Sequence, residues 1–224
     1  MVRTLDRKTR YLQIAFNGDL GSVGRILPTI PDNDRILIEV GTPLIKSEGS
    51  NAIRRVGGIW DGGIVADLKT MDGAVGELEE AHEAGATAAT VLGSAAVETI
   101  DLFVAKCAEL GMDSMVDMIG VEEPLRVMMR LRKPPTVVIL HKGRDEEATR
   151  GKVIRYKHIN KIRSKYDVLI SAAGGVDLRE ARSAIFNGAN IVVVNIVGKE
   201  DGWTGISADD NVAEMADKFL KTIE

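Results

Sequence analysis

The stretch TAATVLGSAAVETIDLFVAKCAELGMDSMVD, residues 87–117, holds the unit from which the rest of the chain can be read. It opens on a short apolar run, 87–92, continuous rather than alternating, as a strand buried on both faces is. Residues 97–110 follow with apolar positions at helical spacing, and Gly111 stands just beyond them, where a left-handed C-cap is wanted. A second buried run, 112–117, then ends in Asp117. Strand, helix, glycine and strand in this order form the crossover unit of a parallel sheet.

Outward from this unit the pattern recurs. Runs at 11–16 (YLQIAF), 35–40 (RILIEV), 63–67 (GIVAD), 136–140 (TVVIL), 167–171 (DVLIS) and 190–194 (NIVVV) read as further buried strands. Helical segments at 73–84 and 178–187 are closed by Gly85 and Gly188. Eight such units in 224 residues take 28 residues each, which predicts a small eight-fold (β/α) TIM-type barrel. A doubly wound open sheet is the competing architecture, but it usually has fewer strands. No Ser/Pro/Gly-rich linker or low-complexity tract interrupts the pattern, so residues 1–224 read as one barrel domain.

Composition narrows the function classes. With 29 basic and 33 acidic residues, a net charge of −4 and 4% aromatics, the chain lacks the basic excess and stacking platforms of a nucleic-acid binder. No apolar run approaches the length of a membrane-spanning helix, so no membrane partner is expected. The start, MVRTLDRKTR, has no apolar core of a secretory signal, and the expected compartment is the cytoplasm. The single cysteine, Cys107, excludes an internal disulfide and reads as a small apolar filler inside a helix.

A barrel carries its chemistry at the C-terminal ends of its strands. Those positions here are polar: Asn17, Glu39, Asp67 with Lys69 and Asp72, Gly93, Asp117, His141, Gly174 with Gly175, and Asn195. A carboxylate ending an interior strand is costly unless it is paired or holds a metal. Asp67 and Lys69 are two apart, so in an extended strand they point the same way. A lysine among carboxylates can stabilise an anion developing on a substrate; a surface ion pair is the plainer reading, and pattern alone divides the two evenly. Glu39 and Asp67 are oxygen ligands of the kind magnesium takes, with waters and substrate oxygens completing the shell. His141 is the one histidine at a strand end and is a candidate general acid/base, while His82 and His158 lie in helical stretches and read as structural. Asp117 could bind substrate hydroxyls or cap a helix. Loops after the seventh and eighth strands of barrels often hold phosphate on backbone N–H groups, which singles out Gly174, Gly175, Gly198 and Lys199. Trp60 and Trp203 read as isolated, Met115, Met118, Met128 and Met129 as core or helix-face residues, and the charged run 142–150 mostly as a solvated helix start.

EVGTPLIKSEG at 39–49, ADLKTMD at 66–72, TVLG at 90–93, MVDMIGVEEP at 115–124, HKGRDEE at 141–147 and AAGG at 172–175 resemble the orotidine-monophosphate-decarboxylase superfamily, and within it the 3-hexulose-6-phosphate synthases. LQIAFNGDL at 12–20 and the C-terminal stretch resemble the synthase domain that follows a formaldehyde-activating domain in archaeal fusion proteins. The resemblance covers nearly the whole chain and implies a cytoplasmic, homodimeric barrel in which Asp72 reaches the partner's active site. It implies that Glu39 and Asp67 bind Mg2+ (or Mn2+), that the metal holds an enediolate made from D-ribulose 5-phosphate, that Lys69 stabilises it, and that His141 assists proton transfer before formaldehyde is added.

The related 3-keto-L-gulonate-6-phosphate decarboxylases carry Glu where this chain has Asp117 and Thr where it has Ala173, so both residues here resemble the synthases. Arg144 resembles the decarboxylases and keeps that reaction as the alternative. Asn17 stands where many members have Asp, and VVNIVGK at 193–199 lacks an arginine that many members place there. Phosphate is therefore expected on backbone N–H groups with Lys199, and Asn17, Arg144 and Asn195 are expected around the substrate. These departures also leave a reading of another class, a catalytically silent barrel that binds a sugar phosphate.

Overall fold

The computed structural model describes residues 5–150 and 153–224, without the side chains of Glu147 and Arg150. The first four residues of the charged start lie outside the described residues, as does the far end of the charged run beyond Thr149 in its side chains. Eight strands form the frame: β1 (Tyr11–Phe16), β2 (Ile36–Val40), β3 (Gly63–Thr70), β4 (Ala88–Leu92), β5 (Asp113–Asp117), β6 (Val137–His141), β7 (Leu169–Ala173) and β8 (Ile191–Val197). Each pairs in parallel with the next, and β1 pairs with β8 from Tyr11↔Ile191 to Ala15↔Asn195. That last pairing closes the sheet, so the fold is the TIM-type (β/α)8 barrel and not an open sheet.

Ten helices cover the strands among the described residues: α1 (Leu20–Ile26), α2 (Thr42–Glu48), α3 (Ser50–Gly57), α4 (Ala74–Glu83), α5 (Val97–Leu110), α6 (Pro124–Met128), α7 (Arg144–Arg150), α8 (Lys157–Arg163), α9 (Leu178–Phe186) and α10 (Val212–Thr222). The crossovers after β2 and β6 each carry two. Gly111 caps α5 at φ 71°, and Gly85 and Gly188, at 106° and 101°, turn the chain just past α4 and α9. None of these helices is long and apolar enough to cross a membrane.

Two strands run on past their expected ends. β3 continues to Thr70 through a register shift against β4. β8 continues to Val197 because a short strand, β9 (Ile206–Ser207), pairs with its end. Gly205 makes that return possible, since a Cβ there would lie 2.3 Å from the Asn195 carbonyl oxygen.

Strand alternation divides the core in two. Outward residues such as Leu12, Ile14, Phe16, Ile36, Ile38 and Val40 pack against the helices. Inward residues, among them Tyr11, Ala15, Leu37, Val65, Met115, Ile139, Leu169 and Val193, fill the barrel. Continued one step further, the same alternation turns Asn17, Glu39, Asp67, Thr90, Asp117, His141, Ala173 and Asn195 toward the axis at the C-terminal rim. The opposite rim is closed by the chain start, where Asp113 accepts the Leu5 N–H at 2.9 Å and the Tyr11 hydroxyl accepts the Asp6 N–H at 2.8 Å. Cys107 is buried, and burial with Asp113 nearby pushes its thiol up to about 12, as befits an inert filler. Met115, Met118 and Met128 are buried as read, but Met129 is 57% exposed.

Candidate active site

The site is built on the end of β3. Asp67 is buried and accepts four hydrogen bonds from three groups: Lys69 Nζ at 2.9 and 2.6 Å on its two oxygens, Thr42 Oγ1 at 2.7 Å, and Thr90 Oγ1 at 2.8 Å. Lys69 does meet Asp67, but not by simple alternation. At φ 48° it is the one non-glycine residue with a left-handed backbone among the described residues. Such a backbone costs about 1–3 kcal/mol unless its surroundings impose it. Here the Thr90 hydroxyl imposes it, accepting the Lys69 N–H at 2.9 Å while donating to Asp67. The bulge aims the lysine across the barrel, so that Nζ also reaches Asp117 Oδ2 at 3.1 Å.

Asp117 in turn binds His141, whose Nδ1 lies 3.0 and 2.8 Å from its two oxygens, and accepts the Ile119 N–H at 2.9 Å. Strands β3, β5 and β6 thus deliver Asp67, Asp117 and His141 to a single cationic nitrogen and its surroundings. Burial opposes the charge on Asp117, Lys69 and His141, but pairing wins. The Asp117 carboxyl, lifted by burial, is drawn down to about 2 by His141 and Lys69. Lys69 is held above its usual range by Asp67, Asp117 and Glu39 despite burial, and His141 is raised by Asp117.

Glu39 behaves differently. Burial, then the neighbouring Asp67 charge, pushes its carboxyl up to about 7, although Gln13 Nε2 donates to it. The other Gln13 side-chain atom, Oε1, is buried without a partner. Two buried carboxylates that repel each other, beside an unused oxygen acceptor, suit a hard divalent cation. No group of three or more His, Cys, Asp and Glu residues placed to hold a metal occurs among the described residues, so any such ion would take most of its shell from water or substrate oxygens.

The remaining expected residues separate into two groups. Gly174 and Gly175 follow β7 at φ 100° and 63°, both in the left-handed region that favours glycine. A Cβ on Gly174 would lie 2.0 Å from the Lys142 carbonyl oxygen, so only glycine fits. Arg144, at the start of α7, lies with its guanidinium 5.4 Å from the Trp203 ring centre. Trp203 is therefore not isolated: it joins the loop after β8 to the loop after β6. Asn17 donates to Asn195 Oδ1 at 3.1 Å and fastens the β1–β8 seam at the rim.

Gly198 and Lys199 are not brought to the rim chemistry. The Gly198 N–H is taken by Asp201 Oδ2 at 2.7 Å, and Lys199, 82% exposed, pairs with Asp209 at 3.5 Å. Asp72 is exposed, between Met71 and the start of α4, with no hydrogen-bond partner among the described residues. Gly93 supplies no polar group to the site; its N–H donates to the Asp117 carbonyl at 2.7 Å, and the polar residue from β4 is Thr90. Thr42, Thr90 and Gln13 were missed by the sequence reading. Counting inward positions by twos from Ala88 or Tyr11 finds Thr90 and Gln13; no comparable signal marks Thr42.

The chain and its fold are similar to those of known proteins. A bifunctional enzyme Fae/Hps of Methanothrix thermoacetophila is 35% identical over 216 residues, 96% of this chain and 53% of that protein, so the chain spans about half the length of this relative. The crystal structure of 3-hexulose-6-phosphate synthase from Salmonella typhimurium is similar with a TM-score of 0.81 at 27% identity, covering 95% of this chain and 98% of that one. A second 3-hexulose-6-phosphate synthase structure gives 0.77 at 29% identity over 96% and 100%. The profile of the orotidine 5'-phosphate decarboxylase / HUMPS family matches residues 11–201, and the chain belongs to that family.

Proposed function

We propose that the chain is a lyase of the 3-hexulose-6-phosphate synthase type, joining formaldehyde to D-ribulose 5-phosphate or running the reverse cleavage. The observation that carries this reading is Lys69 held charged between Asp67 and Asp117, with His141 on the same aspartate. In the neutral histidine, Nδ1–H faces Asp117 and leaves Nε2 with a lone pair. That nitrogen takes the proton from the sugar carbon beside the carbonyl. The Lys69 ammonium, already oriented in a site shielded from water, offsets the negative charge that the two enediolate oxygens acquire. The enediolate carbon then bonds to the formaldehyde carbon, and the former aldehyde oxygen takes up a proton. Glu39 and Asp67 are the residues that would hold Mg2+ (or Mn2+). When bound, such an ion supplies Lewis-acid stabilisation of negative oxygen. The Gly174–Gly175 turn and Arg144 are the candidates for the phosphate, with Asn17 and Asn195 at the seam beside it.

The working unit in this reading is a homodimer of single-domain barrels. Exposed Asp72 reaches the neighbour's site, and Met71 and Val75, 53% and 40% exposed, contribute to the contact. The test is formaldehyde consumption with ribulose 5-phosphate, in magnesium and then in excess chelator. Consumption that the chelator abolishes is the expected result. Its absence, with carbon dioxide released from 3-keto-L-gulonate 6-phosphate and lost in Arg144→Val, would favour the decarboxylase. Sugar-phosphate binding without any turnover would favour the silent barrel.

A further inference from the structure

A cavity of about 110 Å3 lies behind the site, between the loop after β5 and the segment leading into α8. His141 is part of its wall, so the residue that faces Asp117 also borders this second space. The cavity reaches the surface beside Val153, which is 75% exposed. It falls well below the ~300 Å3 at which ligand pockets for drug-sized molecules begin, so a pentose phosphate does not fit.

His158 also lines the cavity. It is 2% exposed, and neither ring nitrogen has a partner among the described residues. Leaving such a group unsatisfied costs about 1–3 kcal/mol, so something polar belongs against it. Burial holds the His158 imidazole below its usual range. In the neutral ring one nitrogen donates and the other accepts, which suits an occupant with hydroxyl groups. The charged lining is balanced, with Glu122 and Glu146 against Lys142 and Arg155, and this favours a neutral occupant over an anion.

We propose that this cavity is the port for the one-carbon aldehyde, held there as the aldehyde or its hydrate by His158 next to His141. The inference rests on the aldolase reading above. It gives the second substrate an entrance separate from the sugar phosphate, which occupies the barrel mouth. It also assigns a function to His158, which sequence reading leaves as a structural histidine.

The test is a pair of saturation curves, formaldehyde varied at saturating ribulose 5-phosphate and the reverse, for the intact chain, His158→Phe and His158→Asn. Phe fills the cavity without a polar atom, and the account expects the formaldehyde KM to rise about tenfold. The ribulose 5-phosphate KM should stay within about twofold, the scatter of a distant substitution. Asn keeps a donor and an acceptor and should recover most of the loss. Should His158→Phe fail to fold, Val153→Trp blocks the same opening from an exposed position and should raise the formaldehyde KM alone. An unchanged formaldehyde KM in a folded variant would mean that the cavity holds only water, and equal rises in both KM values would mean a structural role; either result overturns the inference. No turnover by the intact chain would instead remove the aldolase reading on which it rests.

Discussion

Lys69 keeps a left-handed backbone whose N–H the Thr90 hydroxyl accepts, and the same hydroxyl donates to Asp67, one of the lysine's two carboxylate partners. The adjoining Asp117–His141 pair gives a prediction with a definite sign. The folded pKa of His141 lies above the ordinary value of 6.5. The stabilisation from charged His141 is therefore complete below about pH 6.5 and is lost as pH rises through the raised value. His141→Gln should cost about 1–3 kcal/mol at pH 5.5 and less at pH 9, measured by urea unfolding at the two values. A cost that grows with pH would contradict the pairing. The charged members of the site were legible in the sequence because carboxylates and a lysine at the ends of buried strands need a reason. Which partner each takes was not legible, since the β3 bulge and the Thr42 contact depend on packing between elements.

At the scale of elements, the strand–helix–glycine rhythm placed all eight strands within about three residues at each end. The paired helices after β2 and β6 and the β8–β9 return were not legible, because each is a detail of a connection rather than of the repeating period. The partners taken up in the last loop were not legible either. Gly198 and Lys199 have the composition of a phosphate loop, but Asp201 takes up the Gly198 N–H and the more distant Asp209 the Lys199 ammonium group. The turn after β7, the candidate phosphate turn, gives a contrast of neighbours. Gly174→Ala would put a Cβ 2.0 Å from the Lys142 carbonyl oxygen in addition to the left-handed penalty at φ 100°, and Gly175→Ala would carry that penalty at φ 63°. The left-handed penalty alone is about 1–2 kcal/mol. Gly174→Ala should cost more than that and also weaken phosphate-ligand binding, as denaturant titration and calorimetry would record. Equal, small effects would mean that the backbone there is not held against β6.

At the scale of the whole molecule, closure of the sheet brings Asn17 and Asn195 together and faces every strand end toward one mouth. Asp72 is the polar strand-end residue that turns away from it. If a neighbouring copy uses it, a mixture of Asp72→Ala and Lys69→Ala chains should recover about a quarter of full activity, because hybrid dimers contain one complete site. Mixed chains as inactive as the separate variants would place Asp72 outside the reaction. The central claim is that this mouth removes a proton from a sugar phosphate and stabilises the resulting charge on Lys69. The most direct test is solvent exchange at C1 of ribulose 5-phosphate in deuterium oxide with magnesium and without formaldehyde, followed by proton NMR. The account predicts that the intact chain washes deuterium into that carbon and that Lys69→Ala, still folded, does so roughly 10³-fold more slowly. No exchange by the intact chain, or undiminished exchange by Lys69→Ala, would contradict it.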